Sequence, residues 1–154
     1  MNERLFRLVD RLVAVWPFLA SPLAAWIAWL GYAGVIFYLS SRQFGPILAG
    51  LPPNTDKLIH MVEYAGFGAI TYHAVSTAGW APHRRWRLIL VIMIGIAYGA
   101  SDEFHQMFVP TRDSDVRDVM ADAVGTAIGA WLMAHLTSQW KAPNRTTSRE
   151  SIEK

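Results

Sequence analysis

The chain is predicted to be an all-α membrane protein with four transmembrane helices, at about residues 23–40, 57–76, 86–105 and 117–137. Three observations predict this: long runs that are apolar all round, basic residues gathered in alternate flanks, and ionisable clusters at the ends of the runs. A soluble helix bundle would show a polar face along each helix, and these segments do not. Of 154 residues, 53% are hydrophobic and 17% are charged, which excludes disorder for most of the chain. Mean hydropathy is only +0.21 because both ends are polar. The formal net charge of +2 is too small to imply nucleic acid. There is no cysteine, so disulfides and thiolate metal sites are excluded.

The elements follow in order. Residues 1–22 form an amphipathic approach segment. Within 3–16, Leu5, Leu8, Val9, Leu12 and Trp16 share one helical face while Arg4, Arg7 and Arg11 share the opposite one, as in a helix lying on a membrane surface. No charge occurs between Arg11 and Arg42. Pro17 and Pro22 break the first part of that stretch, so the first span begins near Leu23. Pro52-Pro53 precedes the second helix, with Asn54, Thr55 or Asp56 available as its N-cap. The third run starts at Trp86, and the fourth near Asp118. The membrane domain covers 23–138, and the polar Pro/Ser/Thr-bearing stretch of 139–154 reads as a disordered tail.

Arg4, Arg7 and Arg11, then Arg84, Arg85 and Arg87, then Lys141, Arg145, Arg149 and Lys154 occupy one set of flanks. The other two loops hold only Arg42 and Lys57, and Arg112 and Arg117, the latter pair diluted by aspartates. The positive-inside rule therefore places both termini in the cytoplasm of a multi-pass inner-membrane protein, with the polar clusters facing outward.

Those clusters carry the chemistry, because ionisable groups near a bilayer core are costly and persist there for function. Asp56, His60, Glu63 and Phe67 form a stripe on helix two, with Lys57 and Tyr64 beside it. His60 and Glu63, one turn apart, are close enough to share a proton or a metal ion. On helix three, Tyr98, Asp102 and His105 form a stripe flanked by Gln106, while Glu103 is expected to point elsewhere. On helix four, Asp115, Asp118, Asp122, Gly125 and Gly129 share a face. The glycine pair allows a neighbouring helix to approach closely. Clustered carboxylates repel one another unless a proton, a cation, or Lys57 and Arg112 compensate them. Arg112, after Pro110-Thr111, is placed to clamp an anionic group bidentately. His60, Asp102, Asp118 and His105 are the candidate catalytic groups. Asp56, Lys57, Glu63, Tyr64, Glu103, Gln106, Arg112, Asp115 and Asp122 are the candidate substrate contacts. Blander roles stand beside these: Asp56 as a helix cap, Lys57 and Glu103 as solvated rim charges, and Arg112 in an outer-loop ion pair. The cofactor is unassigned. His, Glu and Asp together admit a divalent metal, but their spacing matches no established metal motif.

Over residues 24–138 the chain resembles the VanZ-like family of small bacterial membrane proteins. The resemblance rests on Asp56-Lys57-Leu58-Ile59-His60 with Tyr64, Ser101-Asp102-Glu103-Phe104-His105-Gln106, and Pro110-Thr111-Arg112 followed by Asp118 and Gly125. Thr111 stands where the family usually has Gly, and Asp122 where Asn is common, which adds a carboxylate to a crowded site. The resemblance implies a cell-envelope role and a contribution to teicoplanin-type glycopeptide resistance. It assigns no reaction.

Three function classes are compatible with these residues. The first is a pocket that binds or processes an envelope lipid or lipid-linked cell-wall precursor. The second is a non-catalytic envelope-binding protein acting on a glycopeptide-related target. The third is a proton-coupled carrier assembled as an oligomer, since one four-helix subunit is small for transport. The expected partners are therefore membrane lipids and such a precursor.

Overall fold

A computed structural model describes residues 21–42, 50, 52–110, 112 and 114–139. The amphipathic segment expected over 3–16, the tail beyond 139, and Thr111 lie outside the described residues. The described chain is all-helical: α1 (Pro22–Ser40), α2 (Thr55–Thr77), α3 (Arg84–Gln106) and α4 (Val116–Gln139). These bounds agree with the expected spans to within about two residues, the usual uncertainty of a helix end.

Local signals account for the ends. Ser21 caps α1, its hydroxyl accepting the Ala24 amide at 3.2 Å, and Pro22 opens the helix, where a missing N–H costs nothing. Asn54 occupies the cap position of α2 in the left-handed region at φ 65°, which Asn tolerates better than most residues. Its side chain makes no capping bond. Asp56 lies inside the first turn and is not the cap.

The helices α1, α3 and α4 are long and apolar enough to cross a membrane. α2 is as long as α3 but carries Asp56, Lys57, His60 and Glu63 in its first turns. It is also the hub of the bundle, packing most extensively on α4 and also on α1 and α3. Glycines make that α2–α4 contact a backbone contact. A Cβ at Gly125 would overlap the Met61 carbonyl, one at Gly129 the Ala65 carbonyl, and one at Gly68 the Thr126 backbone. The expectation drawn from the Gly125/Gly129 pair thus holds, with α2 as the neighbour. Gly95 and Gly99 on α3 instead make room for side chains, those of Thr126 and Asp122.

The core beneath is aromatic. Phe67 stacks on Tyr98 with centroids 4.9 Å apart, and Tyr64 lies against both rings. Two tyrosyl hydroxyls tie α1 to its neighbours: Tyr98 donates to the Ala33 carbonyl at 2.7 Å, and Tyr32 to the Glu63 carbonyl at 2.9 Å. The outer faces carry large exposed apolar side chains, among them Leu23, Leu30, Val62, Met93, Phe104 and Leu136. So extensive an apolar exterior is out of place in water and suits lipid.

Candidate functional site

The polar residues gather at one end of the bundle, where α1 and α3 finish and α2 and α4 begin. Lys57, at the start of α2, is the electrostatic centre of its rim. Its ammonium lies 2.7 Å from Asp118, 2.9 Å from Asp56 and 3.0 Å from Asp115. Asp115 sits just ahead of α4 and caps it. Its carboxylate accepts the Arg117 amide at 2.9 Å, and its carbonyl accepts the Asp118 amide, satisfying amides that an unpaired helix start leaves open. The Arg117 amide and then the Lys57 ammonium hold the Asp115 carboxyl below the usual carboxylate range.

One turn deeper, His60 Nδ1 lies 3.0 Å from Asp122 Oδ1, joining α2 to α4. Asp122 is fully buried. Its second oxygen points at Gly99, where a Cβ would lie 2.7 Å from it. That glycine on α3 is what makes room for the carboxylate. No hydrogen bond reaches this oxygen among the described residues. From α3, Gln106 Nε2 donates to Asp102 Oδ2 at 3.2 Å, and both residues are buried. Tyr64, wholly buried, forms the aromatic floor.

Two expectations for α3 need correction. Glu103 does not point away. It is 4% exposed, and its Oε2 accepts the Asp115 amide at 2.8 Å. It stands beside His60 and Asp118, with one ligand-capable atom of each residue within 4.8 Å of the others. Nor is it a solvated rim charge. His105 turns to the other side of the helix. Its Nε2 lies 3.0 Å from the Ser41 hydroxyl, and its ring lies 4.5 Å from that of Phe37. The face of α3 that meets α2 and α4 runs through Gly95, Gly99, Asp102, Glu103 and Gln106. Its glycine pair is the sequence signal that would have selected this face.

These groups border a cavity of about 200 Å³, walled by Asp56, His60, Glu63, Asp102, Gln106 and Arg112 together with Leu39, Ser40 and Ile59. Ser40 is a wall residue that the sequence reading passed over. The Ser40-Ser41 pair at the end of an otherwise apolar span was its signal. A second, wider cleft of about 470 Å³ opens between α1 and α2 toward the lipid-facing exterior. The two share Leu39, Ile59 and Glu63. The cleft is also lined by Val35, Leu58 and Val62, and Val62 is 70% exposed.

The arrangement offers a buried imidazole oriented by a carboxylate, a guanidinium at the cavity wall, and a marked excess of carboxylates over permanent cations. Proton transfer, hydrogen bonding to a polar group and cation binding are all within its chemistry. Comparison with known proteins gives one finding: residues 16–137 match the family model described as VanZ/LLP1. No curated protein and no solved structure matches the chain.

Proposed function

The chain belongs to the VanZ/LLP1 family and is a membrane protein, and from that premise we propose that it binds a membrane amphiphile, head group in the cavity and apolar chain in the α1–α2 cleft. The observation that carries this reading is the adjacency of the two spaces, which share Leu39, Ile59 and Glu63 as wall residues. A polar pocket alone would suit a soluble ligand. A pocket walled by ionisable groups that adjoins an apolar groove on the lipid-facing surface suits a molecule with one end of each kind. Envelope lipids and lipid-linked cell-wall precursors have that form.

Arg112 contacts an anionic or hydroxyl-rich head group, as a planar guanidinium does well. His60, oriented by Asp122, and Asp102 are the groups for acid–base work if the amphiphile is processed and not merely held. α2 completes a four-span domain, its polar stripe tolerated because it faces the bundle interior. With the basic flanks in the cytoplasm, the cavity opens on the outer side of the inner membrane. Family membership brings in the further reading that this activity lowers susceptibility to teicoplanin-type glycopeptides.

The test is lipid retention. The purified chain, analysed by native mass spectrometry, is expected to carry a co-purifying lipid. Val62→Trp, which fills the cleft, and Arg112→Gln, which removes the guanidinium, should each deplete it several-fold. Retention indifferent to both substitutions would sink the reading. In glycopeptide-susceptible cells, expression should raise the teicoplanin concentration needed to stop growth. Asp102→Asn abolishing that effect in inserted, folded protein marks catalysis, whereas a graded loss marks binding.

A further inference from the structure

We propose that His60, Glu103 and Asp118 form a binding site for a divalent first-row metal ion, with zinc preferred over magnesium. The three residues come from three different helices, all are buried, and one ligand atom of each lies within 4.8 Å of the others. Ligands of a tetrahedral zinc at about 2.0–2.1 Å stand about 3.4 Å apart, so side-chain rotations alone can close the group around an ion.

Two independent observations separate this group from an ordinary acidic cluster. His60 is oriented through Nδ1 by Asp122 Oδ1 at 3.0 Å. That is how outer-shell carboxylates fix metal-bound histidines, and it leaves Nε2 to coordinate. Glu103 is anchored through Oε2 by the Asp115 amide. Its other oxygen is buried and has no hydrogen-bond partner among the described residues. A carboxylate oxygen left in that state is costly unless something fills the gap. Asp118 is held through Oδ1 by Lys57 at 2.7 Å, and as a carboxylate it has a second oxygen to offer. His60 and Glu103 thus each have one atom spent on orientation and one left over.

One imidazole with two carboxylates suits zinc better than magnesium or calcium, which take all-oxygen shells. Three protein ligands leave a coordination position open, and His60 also borders the cavity, so the ion would sit next to the space assigned to the head group. A divalent ion there offsets the excess of carboxylates and lets an acidic pocket accept an anionic group. The inference stands on the ligand geometry, and remains if the lipid reading fails.

The full-length chain in detergent, stripped with chelator, is titrated with zinc chloride by calorimetry, with no lipid added. We expect one zinc per chain, bound more tightly than magnesium. Glu103→Gln should weaken zinc binding at least a hundredfold, and His60→Gln likewise. Asp122→Asn should weaken it ten- to a hundredfold through lost orientation. His135→Ala, at the far end of α4, should leave it unchanged. Thermal midpoints without metal show which variants are folded, and if His60→Gln is not, Glu103→Gln decides. Absence of stoichiometric zinc binding, equal binding by Glu103→Gln, or tighter binding of magnesium each overturns the proposal.

Discussion

The two ends of the helical bundle both carry charge, and they carry it in opposite ways. At the end where α3 begins, Arg84 and Arg85 are exposed. Arg87 reaches across to the Ser76 hydroxyl at 3.2 Å and lies over the Tyr72 ring. Long side chains like these cover apolar surface with their stems while their heads stay wet. At the other end the ionisable groups go inward. Asp122, Asp118, Glu103 and Asp102 are all buried, on helices whose outer faces are lipid-like. The first pattern is what any membrane protein does with basic flanks. The second costs stability, and a fold does not need it to hold together. Charge placed against the stability gradient is the reason the proposed function is assigned to this end of the molecule.

The largest test of this contrast lies at the deepest pair. Asp122→Ala strands His60 in a buried site and should destabilise the protein by about 3–5 kcal/mol, as loss of one partner of a buried pair does. Thermal and denaturant unfolding in detergent would measure it. The double change His60→Leu with Asp122→Leu should recover most of that loss, while binding at the site disappears. If the double variant unfolds as readily as the single one, the pair is structural and the contrast fails. Lys57→Met comes next. It leaves three carboxylates without their shared ammonium, and a loss of about 1–3 kcal/mol is expected, with α4 fraying first in hydrogen exchange. At the basic end, Arg87→Ala should cost no more than about 1 kcal/mol. A cost equal to that of Asp122→Ala would erase the distinction between the ends.

The smallest expected effect is at Asp115, whose carboxyl is held below the usual carboxylate range by the Arg117 amide and the Lys57 ammonium. A depressed carboxyl contributes stability above its unfolded value and loses it as pH falls through the folded one. Asp115→Asn should therefore unfold slightly more easily than the parent chain at neutral pH. The two should converge below about pH 4, the ordinary Asp value. A difference that grows on acidification would contradict the assignment.

Much of this arrangement was legible in the residues. Uniformly apolar runs bounded by Pro, Asn and Asp located the helices. On α4, the continuation of Asp118 and Asp122 into Gly125 and Gly129 located the buried face, because a glycine pair implies a helix lying close against it. The same logic applied to α3 would have started from Gly95 and Gly99 and arrived at Asp102, Glu103 and Gln106. Starting instead from Tyr98 rotated the helix by one residue's turn, which retained Asp102, admitted His105 and excluded Glu103. Polar residues at a helix end fit more than one stripe, and only the closest-packed face tells them apart. The residues predict Lys57 as a substrate contact or carboxylate partner, with a solvated rim charge as the blander role. They leave its pairing with Asp115 and Asp118 unspecified, because these lie more than fifty residues away. Pairing at that distance is set by the bundle and leaves no local pattern.

The seam of Gly68, Gly125 and Gly129 has a consequence beyond tight packing. Bare backbone pressed on backbone leaves no flexible side chains to absorb a slip, so α2 and α4 share one vertical register. A helical turn is about 5.4 Å, and sliding by even half that would carry the His60 ring past its carboxylate. The glycines act as a ruler, fixing the depth at which imidazole and acid meet. An enlarged residue at Gly68 or Gly129 should displace the His60–Asp122 pair from about two turns away without touching either group.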